Sequence, residues 1–387
     1  MKRVLLYSDS SGVYGAERIN HSVALALKNA GFLVVVAQPQ ADNCLTAERE
    51  KQGIVHHWLP DENVYDWRRP APSLLDPSTA EHCLGTWNPD LVVFADSFPF
   101  ANLKAKQAAV ARKTPYLIIV HCVQKGWAEQ YSPFSAQLAG LYRAAREVIA
   151  VSTDNLVLLR RHFGLESDSG RVIYNGRPRT FFEPADGAKR ERLRRELGVE
   201  PEQIMVLSVG RFELVKGWQH LLDALPRLRR CPCWPRLSMV WVGGGTHGDR
   251  IRKVARLLGG NRVSVLAERE DVMSLYDAAD ILAHPALYEG MPLVVLEAMA
   301  KGVVVVASAA SGIPEAVADT GIIVDGESSG PGFGDAFAKA ICLLTEDNKL
   351  RRGLSQAARE RAKSHFTEER MQNSYIDLVR SNLNGEQ

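Results

Sequence analysis

Short runs of aliphatic and β-branched residues recur along the chain, each followed by a longer stretch in which apolar residues return every three or four positions. Runs that are apolar at every position, not at alternate ones, fit strands buried on both faces of a parallel sheet. Residues 4–7, 33–37, 91–95, 116–120 and 148–151 have this character in the first half. Helical periodicity fills the gaps, most clearly over 16–29, 103–112 and 135–145. The alternation restarts with strands at 204–209, 238–242, 263–266, 281–284, 303–307 and 322–324. Two doubly wound α/β sheets follow from it. Between the halves, at about 175–198, lies a polar stretch holding Pro178, Pro184 and the charged run AKRERLRREL, which reads as a solvated helix face. A last helical pattern covers 368–383.

Composition narrows the function. A chain of 387 residues exceeds one hydrophobic core, so two or three domains are expected. A net charge of +2, from 47 basic against 45 acidic residues, argues against nucleic acid as the main partner. The N-terminal apolar run is too short for a signal-peptide core. No stretch reaches the roughly 20 apolar residues of a membrane helix, since even the apolar tract 291–310 carries Glu297 and Lys301. Of the six cysteines, Cys44, Cys83, Cys122 and Cys342 stand apart, and only Cys231 and Cys233 are close. That pair has no second ligand pair at zinc spacing, so it reads as free thiols in a reducing compartment. The expected location is cytoplasmic, with peripheral association at the inner membrane face left open and the oligomeric state undetermined.

Candidate chemistry concentrates in two segments of the second half. In HPALYEGMPLVVLEAMAKG the chain leaves a strand, passes Glu289, Gly290 and Met291, and enters a helix expected to begin at Pro292, with Leu293 following. A proline in the first turn lacks an N–H that would otherwise go unpaired, and the following N–H groups suit an anion. Glu297 lies five residues beyond Pro292, about 7.5 Å along the axis, so Glu289 and Glu297 can grip different parts of one elongated ligand. In QIMVLSVGRFELVKGWQHLLDAL a strand runs into Gly210-Arg211, with Lys216-Gly217 at the start of a helix. A fork-shaped and a point-like cation at a strand's carboxyl end suit a diphosphate.

These segments, together with GVYGAER (12–18), VIAVS (148–152), VIYNG (172–176), the WVGGG turn (241–245) and SGIPE (311–315), stand in one order along the chain. In that order the chain resembles the GT-B-fold glycosyltransferase family 4 group of retaining nucleotide-sugar transferases. The resemblance implies two Rossmann-like domains facing each other across a cleft, an acceptor-binding one over 1–178 and a nucleotide-sugar-binding one over 179–366. A helix over 367–387 would cross back to the first domain. Glu289 would contact the donor sugar, Glu297 the ribose, and His121, at the end of the strand YLIIV, a sugar hydroxyl. With Glu289 and His121, Arg211 and Lys216 make the expected catalytic set. Gly12 and Gly15 would let the first loop approach the donor diphosphate, with positive φ tolerated. Gly243 and Gly244, in a turn with neither Walker nor dinucleotide spacing, would line the nucleoside side. Glu17 and Arg18 read as helix-opening residues.

The implied donor is a UDP-hexose first and GDP-mannose second. The acceptor is a sugar, glycan, lipid or small molecule, and the segment 60–77, with Tyr65, Trp67, Arg68 and Arg69, reads as an acceptor-side loop. Because no Asp-x-Asp occurs anywhere in the chain, no metal cofactor is expected; fixed cations and a helix terminus would carry the leaving-group charge. Two departures from the family pattern bear on the donor pocket. Ala267 stands where many relatives have glycine, and His284-Pro285-Ala286 where many have Pro-Ser. Three other readings compete: a nucleotide-sugar epimerase of this fold, a non-catalytic sugar-nucleotide binder, and a glycoside hydrolase, which has no use for a diphosphate clamp.

Overall fold

A computed structural model describes residues 1–60, 78–325 and 332–384. Tyr65, Trp67, Arg68 and Arg69 lie outside them. The chain divides into two compact units, one of residues 1–176 with the segment from Glu368 onward, the other Arg177–Thr367.

Unit 1 holds seven strands: β1 (Arg3–Ser8), β2 (Leu33–Pro39), β3 (Val55–Leu59), β4 (Leu91–Asp96), β5 (Tyr116–Val120), β6 (Glu147–Ala150) and β7 (Arg171–Val172). They form one parallel sheet in the order β3-β2-β1-β4-β5-β6-β7. The five apolar runs of the first half all appear in it. The pattern missed β3 and β7. In β3, VHHWL carries two histidines at a sheet edge and is only partly buried, so no apolar run marks it. Only two residues pair in β7.

One side of this sheet is closed by a core that includes Leu5, Val35, Val92, Phe94, Ile118 and Phe100. Within it sits a polar exception: the fully buried Lys106 ammonium is paired with the fully buried Asp96 carboxylate, which also accepts from Asn102 Nδ2 at 2.8 Å. Helix Glu368–Asn384 packs on helix Gly15–Asn29 through buried Met371, Tyr375, Leu378 and Val379. Ser22 Oγ joins the two by donating to Glu368 at 2.6 Å.

Unit 2 holds β8 (Ile204–Val209), β9 (Leu237–Val242), β10 (Val263–Leu266), β11 (Ile281–His284), β12 (Val304–Ser308) and β13 (Ile322–Val324). All pair in parallel in the order β10-β9-β8-β11-β12-β13. The charged run of 188–197 lies on helix Gly187–Glu196, and the expected solvated face is only part of it. Arg190 and Arg194 turn inward onto Asp280, at 2.8 and 3.1 Å, and Arg194 also donates to the Ala278 and Gln203 carbonyls. The charged run by itself hides this, because Asp280 lies far away in sequence. Each unit thus has the Rossmann-like, doubly wound architecture expected of the GT-B class. Among the described residues no helix is long and apolar enough to cross a membrane.

Removing one partner of a buried ion pair strands the other charge away from water. Lys106→Met should therefore lower the unfolding free energy by about 3–5 kcal/mol. In urea unfolding, Asp96→Asn combined with Lys106→Met should cost less than the two single changes summed. A loss below about 1 kcal/mol for Lys106→Met, within the range of an exposed pair, would show that the pair is not held as described.

Candidate active site

In an open parallel sheet, ligands collect beyond the carboxyl ends of the strands where the strand order reverses. In unit 2 that place lies between β8 and β11, neighbours in the sheet although β9 and β10 intervene in sequence. The loops leaving β8 and β11 are the two segments singled out in the sequence. Their backbones are tied together: Leu287 N–H donates to the Val215 carbonyl at 2.8 Å. Gly217, at φ +71°, lies so close to Pro285 that a Cβ would fall 1.9 Å from the Pro285 oxygen. The loop after β9 joins them, with Phe212 N–H donating to the Gly244 carbonyl at 2.6 Å. At Gly243 an added Cβ would lie 1.9 Å from the Gly210 oxygen. The bare glycine turn therefore serves to let three loops nest.

Lys216 and Glu289 meet on this frame. The Lys216 ammonium and the Glu289 carboxylate form an ion pair, with side chains only 21 and 14 % exposed. His284 Nε2 lies 3.4 Å from the same carboxylate, which gives the histidine of the departing His-Pro-Ala a place in the site. Burial works against the Glu289 charge, yet the Lys216 ammonium, with His284 adding to it, holds the carboxyl down at about 2. Glu289 is therefore an anion over the whole physiological range. Arg211 is exposed at the edge of the same loop, its carbonyl accepting from Trp218 Nε1 at 2.7 Å.

Downstream, the helix runs Leu293–Ala300 and Pro292 is its N-cap, at φ −72° and ψ 122°, not its first residue. The extended ψ delays the helix by one position relative to the expectation. Gly290, Met291, Pro292 and Leu293 are buried around this positive helix end.

Glu297 occupies a separate electrostatic setting. It is 7 % exposed, and its Oε1 lies 2.9 Å from Arg177 Nη2. The Arg177 guanidinium also stacks on Phe181, 4.7 Å from the ring centroid. Tyr276 stands beside the pair; burial first, then the Glu297 charge, pushes its phenol well above the ordinary range. Sequence reading gave Arg177 no role, because its partner is 120 residues away and no motif spacing records it.

In unit 1 the strand order reverses between β1 and β4. The buried Asp9, just after β1, accepts from Ser97 N–H at 2.9 Å and from the Ser97 hydroxyl. Burial pushes its carboxyl up, opposed by those hydrogen bonds. His121 N–H donates to the Asp96 carbonyl, and its Nε2 lies 2.8 Å from Asn20 Oδ1. Only 8 % exposed, the imidazole is pushed down by burial to about 4 and is neutral at pH 7. Asp9 and Asn20 were missed in the sequence; the polar SDSSG directly after a strand was the available signal. Gly12 and Gly15 do not use their backbone freedom, since neither adopts a positive φ. A Cβ on Gly12 would meet the Tyr14 ring at 3.3 Å and the Glu17 carboxylate at 3.4 Å, so close packing is what this position requires.

The low Glu289 pKa fixes a pH signature. Ordinarily near 4.5 and here about 2, the group contributes stability above its unfolded value and loses it as pH falls toward the folded one. The destabilisation caused by Lys216→Met should therefore be largest above pH ~4.5 and shrink toward pH ~2. Urea unfolding of parent and variant across that range checks this; a gap that does not change with pH would mean that Lys216 is not the counter-charge.

Known proteins share this architecture. The solved structure of Anabaena HepE in complex with UDP superposes with a TM-score of 0.81 at 24 % identity, covering 98 % of this chain and 100 % of that one. The D-inositol 3-phosphate glycosyltransferase of Corynebacterium glutamicum is 33 % identical over 256 residues, 62 % of this chain and 60 % of that protein. The same enzyme from Corynebacterium efficiens is matched over 53 % of its length, so the chain spans little more than half of these relatives. Alpha-maltose-1-phosphate synthase of Mycobacterium tuberculosis is 29 % identical over 343 residues, 81 % of this chain and 86 % of that protein. Residues 13–179 match the model of Glycosyltransferase Family 4, and residues 189–361 match that of Glycosyl transferases group 1. On these matches and its two Rossmann-like units, the chain belongs to the GT-B-fold glycosyltransferases of family 4.

Proposed function

We propose that the protein transfers a hexosyl unit, with retention of anomeric configuration, from a nucleoside diphosphate sugar to a sugar-like acceptor. The observation that carries this reading is the Lys216–Glu289 pair at the switch point of unit 2, flanked by Arg211 and by the helix N-terminus at Leu293. Breaking the bond between sugar and phosphate leaves negative charge on the diphosphate. Preorganised cations are most effective where such charge develops. Lys216 serves twice: it faces the leaving group and keeps Glu289 ionised against burial, so that an anion stands beside a sugar carbon that becomes positive. Glu297, aligned by Arg177, takes the ribose. Neutral His121 offers a hydrogen bond to a sugar hydroxyl without adding charge.

The cations around Glu289 also weigh against a glycoside hydrolase. Held at about 2, Glu289 cannot be the general acid of such an enzyme, and an enzyme that cleaves a plain glycosidic bond has no use for Lys216 and Arg211 placed for a diphosphate. A UDP-sugar is the first donor to test and GDP-mannose the second; HepE was solved with UDP and with UDP-glucose. The names of the relatives, which mention inositol 3-phosphate and maltose 1-phosphate, support including sugar and cyclitol phosphates among the acceptors. Epimerisation is the reading to set against transfer, and recovery of an isomerised nucleotide sugar without acceptor would favour it.

The two glutamates should separate by role. Glu297→Gln should weaken binding of the free nucleoside diphosphate and of the intact donor, because both carry the ribose. Glu289→Gln should leave nucleoside diphosphate affinity nearly unchanged while slowing single-turnover transfer by about 10² or more, as when a group acts mainly in the transition state. Calorimetry beside single-turnover rates checks this, and equal losses of nucleoside diphosphate affinity would sink it.

With no Asp-x-Asp in the chain, the proposed chemistry runs on fixed protein charges. Transfer should persist in excess EDTA. Complete loss of activity, restored by Mg²⁺ or Mn²⁺, would overturn the metal-free assignment.

A further inference from the structure

Unit 2 gathers three thiols that the sequence keeps apart. Cys231 and Cys233 lie on the connection between helix Trp218–Leu228 and β9, and Cys342 on helix Phe333–Glu346, 109 residues beyond Cys233. Cys342 Sγ is 2.8 Å from Cys231 Sγ and 3.2 Å from Cys233 Sγ. All three sulfurs lie within 4.8 Å of one another. Cys233 and Cys342 are 1 and 9 % exposed, and Cys231 is half-buried. The place is remote from the donor chemistry: the connection leads into the amino end of β9, whereas the candidate active site lies beyond the carboxyl ends of β8 and β11. Glu346 follows Cys342 by one helical turn, near enough for its charge to act on Cys233.

We propose that Cys231, Cys233 and Cys342 form a thiolate site for a single Zn²⁺ ion, with the Glu346 carboxylate or a water as fourth ligand. Three convergent thiolates are soft donors of the kind that select Zn²⁺ over Mg²⁺ or Ca²⁺. The Cys-x-Cys spacing brings two donors from one turn, and a helix packed against it supplies the third. A Zn–S bond of about 2.3 Å in tetrahedral geometry separates neighbouring sulfurs by about 3.8 Å, so the thiols need only spread by about 1 Å or less. A disulfide would join two of the sulfurs and leave the third without purpose. Bound at the amino end of the sheet, the ion fastens helix Phe333–Glu346 to the entrance of β9. Its role is structural, and it takes no part in transfer.

Co²⁺ is the spectroscopic probe. The full chain, reduced and treated with a strong chelator, should take up one Co²⁺ per chain with intense sulfur-to-cobalt absorption in the near ultraviolet, and Zn²⁺ should displace it. Zn²⁺ should raise the Tm of the stripped protein. Both effects should be lost in Cys342→Ser and in the milder, half-buried Cys231→Ala, and kept in Cys44→Ser. Absent thiolate absorption in the parent, or absorption of full intensity in folded Cys231→Ala, would overturn the site. So would isolation of a Cys231–Cys342 disulfide with no Co²⁺ uptake after reduction, or thiols that stay inert to metal as plain core packing.

Discussion

A carboxylate can stay ionised away from water only beside a fixed counter-charge, and the arrangement around Glu289 follows from that requirement. Burial alone would raise its pKa; Lys216 reverses the sign. For the two side chains to meet, the loops leaving β8 and β11 must lie in register. The pairing of those strands, the Leu287–Val215 backbone bond and the missing side chain at Gly217 supply that register. Loops are the most variable part of such a fold, yet here three of them nest with backbone against backbone. The charge pair is therefore fixed by the sheet below it.

The same unit handles its second carboxylate differently. Glu297 lies on the helix and is balanced by Arg177, the first residue of the unit, whose planar fork also stacks on Phe181. A ligand hydroxyl that reaches Glu297 therefore meets an acceptor already oriented by a cation. Two glutamates eight residues apart thus have independent counter-charges from different parts of the chain, and a change at one need not disturb the other.

Much of this was legible in the order of residues. Strands buried on both faces announce themselves as unbroken apolar runs, which is why the central strands of both sheets could be read and the histidine-bearing edge strand β3 could not. Glu289, Arg211, Lys216 and the glycine turn could be singled out as candidates because strand ends followed by charge or glycine are local signals. Arg177, His284 and Cys342 escaped for the opposite reason. Each acquires its meaning from a partner that only the folded chain brings near, as does Asp280, the distant anchor of two arginines in a run that looked uniformly solvated.

Where the chain enters and leaves unit 2, its two ends run side by side. Arg177 N–H donates to the Phe366 carbonyl at 2.8 Å, and Arg177 forms a parallel bridge with Thr367. The unit is thus a closed loop of polypeptide, pinned shut by its own backbone at the residue whose side chain orients Glu297. All six strands of the second sheet, the charge pair and the thiol cluster lie between these two ends, which meet at one point. The unit that carries the charge pair is in this sense one continuous stretch of chain, closed where it begins and ends.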